Sequence, residues 1–379
     1  MHPLRIAFVS NTLWSILHFR SRVLEDQLAA GHTVFVLAPD DDSRSKLPRH
    51  ERLHFAPLHE LDAHGTSPLA DLRLKKELGA YYREFRPDIV FHYTVKPNIW
   101  GTLAAAELSG VRTVAIVTGL GHAFARSGPL QWIVSRLYQR AFDRSSEIWF
   151  LNAGDRELFR QKRIIAPERG ALLPGEGVDC KAFVPAPLPS PSGEIVFLMV
   201  ARVKAAKGVR EYAAAAMMLM DRHPGKKIRF RLVGRYTRNE PDAIPENEFR
   251  SWTDQAIIDY FPPVNDIRPL LAEADVVVLP SKGEGMNMSL MEAAAMGRPL
   301  VATDVSGCRE LVLPGVSGLL CKTEDAVDLA SAMEKLYLMP SEERTTMGIK
   351  GRELMLSTYD DPIILSLYCQ RIDRLAGKN

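Results

Sequence analysis

The chain has 379 residues, which is too long for one ordinary hydrophobic core and sufficient for two α/β domains. Hydrophobic residues make up 46% and charged residues 25%, as in ordinary globular proteins, and the formal net charge of +2 gives no reason to expect nucleic-acid binding. The four cysteines are far apart and form no CxxC pair, which argues against a disulfide framework and a structural zinc site. No apolar run approaches the ~18 residues that a spanning helix needs, and the N-terminus lacks the apolar core of a signal peptide, so we expect a cytoplasmic chain.

Strand and helix patterns alternate through the first half of the chain. A helix is predicted at 19–30, where an amphipathic pattern ends at Gly31. Strands are predicted at the apolar runs 5–10, 32–38, 87–92, 113–118 and 147–151. This alternation implies a parallel sheet with helices on both faces.

A proline-rich segment separates this series from a second one. Four prolines fall between positions 185 and 191, which predicts a stiff, extended linker. Strands are then predicted at 195–201, 227–233, 275–280 and 299–303. Helices are predicted at 209–221, 267–274, 289–296, 326–338 and 360–375.

These patterns predict an N-terminal Rossmann-like domain at 1–184, a hinge at 185–193 and a C-terminal Rossmann-like domain at 194–357. The last segment, 358–379, is expected to cross back to the first domain as a helix. Ligands of open parallel sheets bind beyond the carboxyl ends of the strands. We therefore expect the site in a cleft where the two sheets face each other.

The strongest candidate site follows the predicted strand 275–280. The N-terminus of the next helix, expected near Ser289, offers free backbone N–H groups to a diphosphate. Glu284, on the loop, can accept hydrogen bonds from a sugar ring, and Glu292, in the helix, from a ribose diol. Ser289 and Glu292 also fit a capping box, which is a purely structural role, and this alternative stays open. The remaining residues of this loop predicted to contact the donor are Gly285, Met286, Asn287 and Met288.

The same stretch resembles glycosyltransferase family 4, a large group of retaining enzymes with the so-called GT-B fold. The similarity rests on Leu279-Pro280-Ser281, Glu284-Gly285, the run from Leu290 to Pro299, Gly307-x-x-Glu310 and Gly315-x-x-Gly318. It implies an α/β protein with two Rossmann-like domains, whose parallel sheets face each other across an interdomain cleft. It also implies a nucleotide-sugar donor.

The resemblance extends to the loop after strand 195–201. Arg202 and Lys207 match the Arg and Lys of the family pattern GRLxxxKG, with Ala201 in place of the Gly. By resemblance both bind the donor diphosphate, and with Glu284 they are the candidate catalytic residues. Lys204 and Arg210 are expected to face solvent.

Further family patterns place donor contacts at Gly234, Arg235 and Phe261. The backbone at Phe261 is expected to contact the base of the donor nucleotide. Pro262 has no N–H where the family has Gly, so recognition of uracil at that position stays open.

Segments of the first half resemble the bacterial surface-polysaccharide branch of the family. The runs 91–101 and 116–124 carry most of this resemblance, together with Asn11 to Trp14. It implies acceptor-side contacts at Asn11, Arg20, Lys96, Asn98, Gly119, Gly121, His122 and Gly175. His122 is also a candidate catalytic contact to the donor sugar.

The expected activity is retaining transfer of an N-acetylhexosamine or a uronic acid. The sugar moves from a UDP-sugar to a polyprenyl-diphosphate-linked saccharide, without a metal or other cofactor. The basic, aromatic helix pattern at 130–144 predicts either contact with the anionic inner surface of the cytoplasmic membrane or an ordinary core-facing helix. Two alternatives are a UDP-sugar 2-epimerase on the same fold and a non-catalytic scaffold of polysaccharide assembly.

Overall fold

The computed structural model describes residues 3–63, 65, 67–121, 124, 128–189, 194–238, 240 and 242–377. Contacts divide the chain into two compact units. Unit 1 comprises Met1–Gly177 together with Asp361–Asn379, and unit 2 comprises Val178–Asp360.

The described part of unit 1 contains a parallel sheet of seven strands. In chain order they are β1 (Arg5–Val9), β2 (Thr33–Ala38), β3 (Leu53–Pro57), β4 (Ile89–Tyr93), β5 (Arg112–Val117), β6 (Glu147–Phe150) and β7 (Ala171–Leu172). Their order in the sheet is β3-β2-β1-β4-β5-β6-β7, so β1 lies between β2 and β4. The chain reverses its direction across the sheet at this point, which is where open α/β sheets form a ligand crevice.

Helices cover the sheet of unit 1, and the first of them differs from the prediction. They are α1 (Leu13–Phe19), α2 (Ser21–Ala29), α3 (Pro68–Phe85), α4 (Thr102–Ala105), α5 (Pro129–Phe142) and α6 (Ala153–Gln161). The predicted helix 19–30 is in fact the end of α1 followed by α2. The backbone leaves the helical region at Arg20, where φ is −132°.

The described part of unit 2 contains a parallel sheet of six strands. They are β8 (Glu194–Val200), β9 (Lys227–Val233), β10 (Asp259–Phe261), β11 (Val276–Leu279), β12 (Leu300–Thr303) and β13 (Gly318–Cys321). The order β10-β9-β8-β11-β12-β13 again places the first strand at the reversal point. The carboxyl ends of β8, β9 and β11 are therefore neighbours.

Six helices belong to the described part of unit 2: α7 (Val209–Arg222), α8 (Glu246–Asp254), α9 (Arg268–Ala272), α10 (Met288–Ala295), α11 (Ala326–Leu338) and α12 (Ser341–Leu354). Their apolar faces and the sheet form one core, to which the buried β11 contributes four valine and leucine side chains. None of the described helices in either unit has both the length and the apolar character that crossing a bilayer requires.

The start of the proline-rich segment packs against unit 2. The buried Arg298 donates hydrogen bonds to the carbonyls of Ala186 (2.7 Å) and Pro187 (3.0 Å), and Arg352 donates to the carbonyl of Phe183 (2.8 Å). The contact-based division falls earlier, between Gly177 and Val178, rather than at the predicted hinge 185–193.

The last helix, α13 (Asp361–Leu375), returns to unit 1. The buried ring of Tyr368 lies 5.4 Å from that of Phe91 and 5.2 Å from that of Trp149. Its hydroxyl is 3.0 Å from the hydroxyl of Tyr93. The C-terminal helix therefore completes the core of unit 1.

Candidate active site

The loop after β8 is fixed against the segment that follows β11. Residues Ala205–Lys207 form a short 3-10 turn that ends at Gly208, where φ is +77°. A Cβ atom at Gly208 would lie 2.0 Å from the carbonyl oxygen of Pro280, so only glycine fits this contact. The N–H of Lys282 donates to the carbonyl of Ala206 (2.9 Å). The two loops therefore hold each other in place at the carboxyl edge of the sheet.

This arrangement brings together Lys207 and Glu284, which are 77 positions apart in the sequence. The Lys207 Nζ atom lies 2.6 Å from Glu284 Oε1, and the two side chains are 19% and 9% exposed. The backbone N–H of Glu284 donates to the carbonyl of Ser306 (3.4 Å). A Cβ at Gly307 would lie 2.5 Å from the Glu284 carbonyl oxygen, so the chain passes unusually close on that side. A cation and an anion are thus held side by side.

Helix α10 begins one residue earlier than the sequence predicts. Asn287 is its N-cap, because its Oδ1 accepts from the N–H of Leu290 (3.0 Å). The alternative role left open for Ser289 and Glu292, a capping box, is therefore excluded, because Ser289 is not the N-cap. Instead, the Ser289 hydroxyl contacts Asn287 Oδ1 (2.7 Å) and the carbonyl of Val200 at the end of β8 (2.9 Å). The N–H groups of Met288 and Ser289 lie in the first helical turn, where no intrahelical acceptor exists.

Glu292 is partly buried, and its side chain makes no hydrogen bond or ion pair that the structure records among the described residues. Burial raises the pKa of its carboxyl to about 7. A carboxyl in this state can accept hydrogen bonds from hydroxyl groups of a ligand. The neighbouring Gly285, Met286 and Met288 are partly buried at the start of the same helix.

Arg202 projects from the loop after β8 and is 60% exposed. Its Nη1 atom lies 3.9 Å from Oε2 of Glu240, which also forms an ion pair with Lys204. The prediction that Lys204 faces solvent is wrong, since its side chain is only 13% exposed. Arg210 pairs with Glu248 (2.6 Å) on the surface, as its predicted solvent-facing position allows.

The ends of β9 and β10 meet this loop at Gly234. A Cβ at Gly234 would lie 1.9 Å from the carbonyl oxygen of Ala201, so glycine is required here as well. The carbonyl of Phe261 accepts from the N–H of Gly234 (3.2 Å), while Arg235 is exposed and its carbonyl accepts from Val203 (3.0 Å). Phe261 lies beside a cavity of about 660 Å³ along β10, whose arginines each pair with a carboxylate.

In unit 1 the structure places Arg20 in the interior. Its side chain is 3% exposed and forms an ion pair with Glu176, which is 6% exposed. The guanidinium lies 3.8 Å from the centre of the Tyr93 ring, and its Nη1 donates to the carbonyl of Ser15 (3.0 Å). Burial raises the pKa of Glu176, and the charge of Arg20 acts against this shift. The charge of Arg20 is therefore neutralised by Glu176 in the interior of unit 1.

The end of β4 and the segment that follows it contain buried residues that hold the fold, and Lys96, which is partly exposed. Asn98 is buried and donates to the carbonyl of Ile116 at the end of β5 (2.8 Å). His92 is buried, and burial lowers its pKa to about 3; its Nε2 lies 2.8 Å from the Tyr82 hydroxyl. A Cβ at Gly101 would lie 2.5 Å from the His92 ring. Lys96 is paired with Asp71 at 2.8 Å.

The remaining predicted acceptor residues lie on turns of unit 1. Asn11 accepts from the hydroxyl of Ser10 (3.4 Å) directly after β1. Gly119, Gly121 and Gly175 have φ angles of +141°, +67° and +72°, which L-residues other than glycine rarely adopt. The predicted site at His122 lies outside the described residues.

The sequence patterns missed two carboxylates, Glu176 and Glu240, which pair with the predicted site residues Arg20 and Arg202. Neither stands in a motif position that assigns it a charge partner. In the described ranges, no three His, Cys, Asp or Glu side chains cluster in a way that could hold a metal ion.

Comparison with known families matches each half of the chain to a glycosyltransferase model. Residues 20–176 match a glycosyl transferase 4-like domain, and residues 194–339 match the glycosyl transferases group 1 model. Together the two matches span most of the chain.

One full-length relative is the N,N'-diacetylbacillosaminyl-diphospho-undecaprenol alpha-1,3-N-acetylgalactosaminyltransferase of Campylobacter jejuni. It is 28% identical over 98% of this chain and 99% of its own length. Among solved structures, a glycosyltransferase from Rickettsia africae ESF-5 superposes with a TM-score of 0.82 at 16% identity, over the whole of both chains. Anabaena Alr3699/HepE, solved in complex with UDP and glucose, gives a TM-score of 0.77 at 17% identity over 98% of this chain and all of its own.

These matches favour a transferase over the epimerase and scaffold alternatives, because the models and the full-length relative are all glycosyltransferases. The superpositions extend over essentially the whole chain and establish the fold of both units. The chain belongs to the group 1 glycosyltransferases of family 4 and has the GT-B fold.

Proposed function

We propose that this glycosyltransferase moves a sugar from a UDP-sugar, with retention at the anomeric carbon, to a saccharide linked to polyprenyl diphosphate. The sugar is an N-acetylhexosamine or a uronic acid. The product belongs to surface polysaccharide or glycoprotein glycan synthesis at the inner face of the cytoplasmic membrane.

The contact between Lys207 and Glu284 beside the start of α10 carries this proposal. A departing nucleoside diphosphate gains negative charge, which fixed cations and free N–H groups stabilise. Lys207, Arg202 and the first turn of α10 supply such groups at one edge of the unit 2 sheet. Glu292 then accepts hydrogen bonds from the ribose hydroxyls, and Glu284 accepts hydrogen bonds from the hydroxyls of the sugar.

The same contact supports retention without an enzyme nucleophile and without a metal. Glu284 is engaged by the Lys207 ammonium, which weakens the carboxylate as a nucleophile. The acceptor hydroxyl then attacks from the face that the diphosphate leaves, and a diphosphate oxygen takes its proton. Arg202 and Lys207 neutralise the charge that a metal ion neutralises in other transferases.

The identity of the acceptor is proposed from the full-length relative, whose name specifies a diphospho-undecaprenol substrate. On unit 1, Lys96 is the cation proposed for a lipid diphosphate, because its side chain and that of its partner Asp71 are 13% and 16% exposed, whereas Arg20 is 3% exposed. Arg20 is excluded from this role by its burial.

Helix α5 is proposed as the surface that contacts the membrane. Leu130, Trp132 and Ile133 are 49%, 63% and 48% exposed at its N-terminal end, although Tyr138 and Phe142 near its C-terminal end are buried. The Arg136 guanidinium lies 5.6 Å from the centre of the Trp132 ring. Exposed aromatic and aliphatic side chains beside arginine suit an anionic lipid surface.

The activity is tested with purified protein, a panel of UDP-sugars and a polyprenyl-diphospho-saccharide. Mass spectrometry follows the mass of the lipid-linked product, and NMR coupling constants give its anomeric configuration. We expect one added sugar with the donor's configuration, in the presence or absence of EDTA. An inverted product would refute the retaining mechanism, and epimerised sugar from donor alone would restore the epimerase alternative.

A further inference from the structure

Glu240 lies next to the predicted diphosphate cations on the loop between β9 and α8. Its Oε2 atom forms an ion pair with Lys204 and lies 3.9 Å from Nη1 of Arg202. Two cations from the loop after β8 therefore converge on a single carboxylate oxygen.

The backbone holds this carboxylate at the loop. Lys204 forms an antiparallel bridge with Ala243, and the N–H of Ala205 donates to the carbonyl of Asp242 (2.8 Å). The N–H of Ala243 donates back to the carbonyl of Glu240 (3.1 Å), which closes the turn. The backbone at Glu240 is thus fixed relative to the loop that carries Arg202 and Lys207.

The convergence of two cations on one anionic oxygen is also the arrangement that binds a phosphate oxygen. Lys204 is 13% exposed, so its ammonium needs a counter-ion nearby. Glu240 is 37% exposed, so its carboxylate can move into water at little cost. A phosphate oxygen can then replace the carboxylate oxygen without leaving a cation unpaired.

We propose that Glu240 is an internal counter-ion of the donor site, which a phosphate oxygen of the nucleotide sugar displaces, and that Lys204 is a third diphosphate-binding cation beside Arg202 and Lys207. This inference rests on the proposed function, because it requires a nucleoside diphosphate at this loop. It makes Glu240 a competitor of the donor, so the affinity of the enzyme is lower than its cations alone would give.

The test is isothermal titration of UDP and of uridine into the unsubstituted protein, Glu240→Gln, Lys204→Gln and the double variant. We expect Glu240→Gln to bind UDP roughly twofold to fivefold more tightly, since a partly exposed ion pair no longer competes. Within the Glu240→Gln background, Lys204→Gln is expected to weaken UDP binding about tenfold. Uridine, which has no phosphate, is expected to bind all four proteins equally.

Glu248→Gln, which removes the partner of Arg210 on the nearby surface, is the matched control and should leave UDP binding unchanged. Ligand-free melting temperatures establish that each variant is folded. Unchanged UDP affinity in Glu240→Gln, or in the double variant relative to Glu240→Gln, overturns the inference while the proposed function stands. If UDP does not bind the unsubstituted protein, the proposed function fails and the inference fails with it.

Discussion

The degree of burial of a charged pair determines whether a phosphate can replace one of its partners. Lys207 and Glu284 keep some exposure, so a ligand can take over one partner of the pair. Arg20 and Glu176 are almost fully buried, and separating them would leave a charge in the protein interior, which costs several kcal/mol. At the scale of single residues, Lys207 is thus suited to binding and Arg20 to holding the fold.

We expect Lys207→Gln and Glu284→Gln each to lower kcat by about two to three orders of magnitude, because each removes a charge that acts on the departing diphosphate or the sugar. The measurement is initial rates with the UDP-sugar that the enzyme accepts. Arg210→Gln, a cation of the same region with a surface partner, is the control and should keep normal turnover. Near-normal rates in either site variant would remove that residue from the mechanism.

The carboxyl of Glu292 should make stability depend on pH. Its pKa is raised from 4.5 to about 7, so the folded chain holds this proton more tightly than the unfolded chain. The associated stability is fully present below pH 4.5 and is lost as the pH rises through 7, by up to about 3 kcal/mol. Urea unfolding at pH 5 and pH 8 should show a smaller difference for Glu292→Gln than for the unsubstituted protein. Equal pH dependence in the two proteins would contradict the assignment.

Sequence patterns could select Glu284, Lys207 and Glu292 as candidate site residues, because their spacing matches a family signature. They could not identify Glu240 or Glu176, since each acts through a partner that is distant in the sequence, 156 positions away for Glu176 and Arg20. Such a contact depends on the tertiary fold rather than on local pattern.

At the scale of elements, most of the predicted strands have residues that are nearly all buried, although β9 was predicted with three buried residues among seven. The edge strand β3 has one buried residue among five, and β7 has only two residues, so neither has the apolar run that reveals a strand. The helix predicted at 19–30 is interrupted because the backbone at Arg20 turns out of the helical region. No local signal such as Pro or Gly marks this break.

Gly208→Ala is expected to destabilise unit 2 by about 2–4 kcal/mol, since the new methyl group meets the Pro280 carbonyl in a left-handed backbone conformation. Gly225→Ala is the matched control: φ is +74°, but no atom lies within 4 Å of its Cβ position. Thermal melting should show a clearly larger loss for Gly208→Ala. Equal losses would mean that the packing of the two loops contributes little.

Helix α5 gives a prediction about membranes. Trp132→Ser should reduce sedimentation with vesicles that contain phosphatidylglycerol, because it removes the most exposed aromatic side chain of this helix. Leu338→Ser, which alters a similarly exposed apolar residue at the end of α11, should sediment as the unsubstituted protein does. Equal binding by Trp132→Ser would exclude this end of α5 as the contact.

At the scale of the whole molecule, the contact-based division lies between Gly177 and Val178, before the predicted proline hinge at 185–193. An extended proline segment can lie along the surface of a domain as well as join two domains. Here Arg298 and Arg352 satisfy the carbonyls of its first part from within unit 2. The composition shift at 183–193 could be read from the sequence, but the contacts that attach it to one unit could not.

Tyr368→Ala should destabilise unit 1 selectively, by about 3–5 kcal/mol, because it empties the space between Phe91 and Trp149. Hydrogen exchange should rise in β4 and β6, while the strands of unit 2 keep their protection. Tyr368→Phe retains the ring and loses only the contact with the Tyr93 hydroxyl, so its effect should be much smaller. Loss of protection in unit 2 alone would contradict the assignment of α13 to unit 1.

Because α13 belongs to unit 1 but follows all of unit 2 in the sequence, it is synthesised only after the whole of unit 2. At translation rates of about 5–20 residues per second, synthesis of the intervening segment takes on the order of 10–40 s. During that interval Phe91 and Trp149 lack their tyrosine cover, and the nascent chain presents an apolar surface that chaperones or neighbouring chains can bind. A chain truncated before Asp361 would keep that surface exposed permanently.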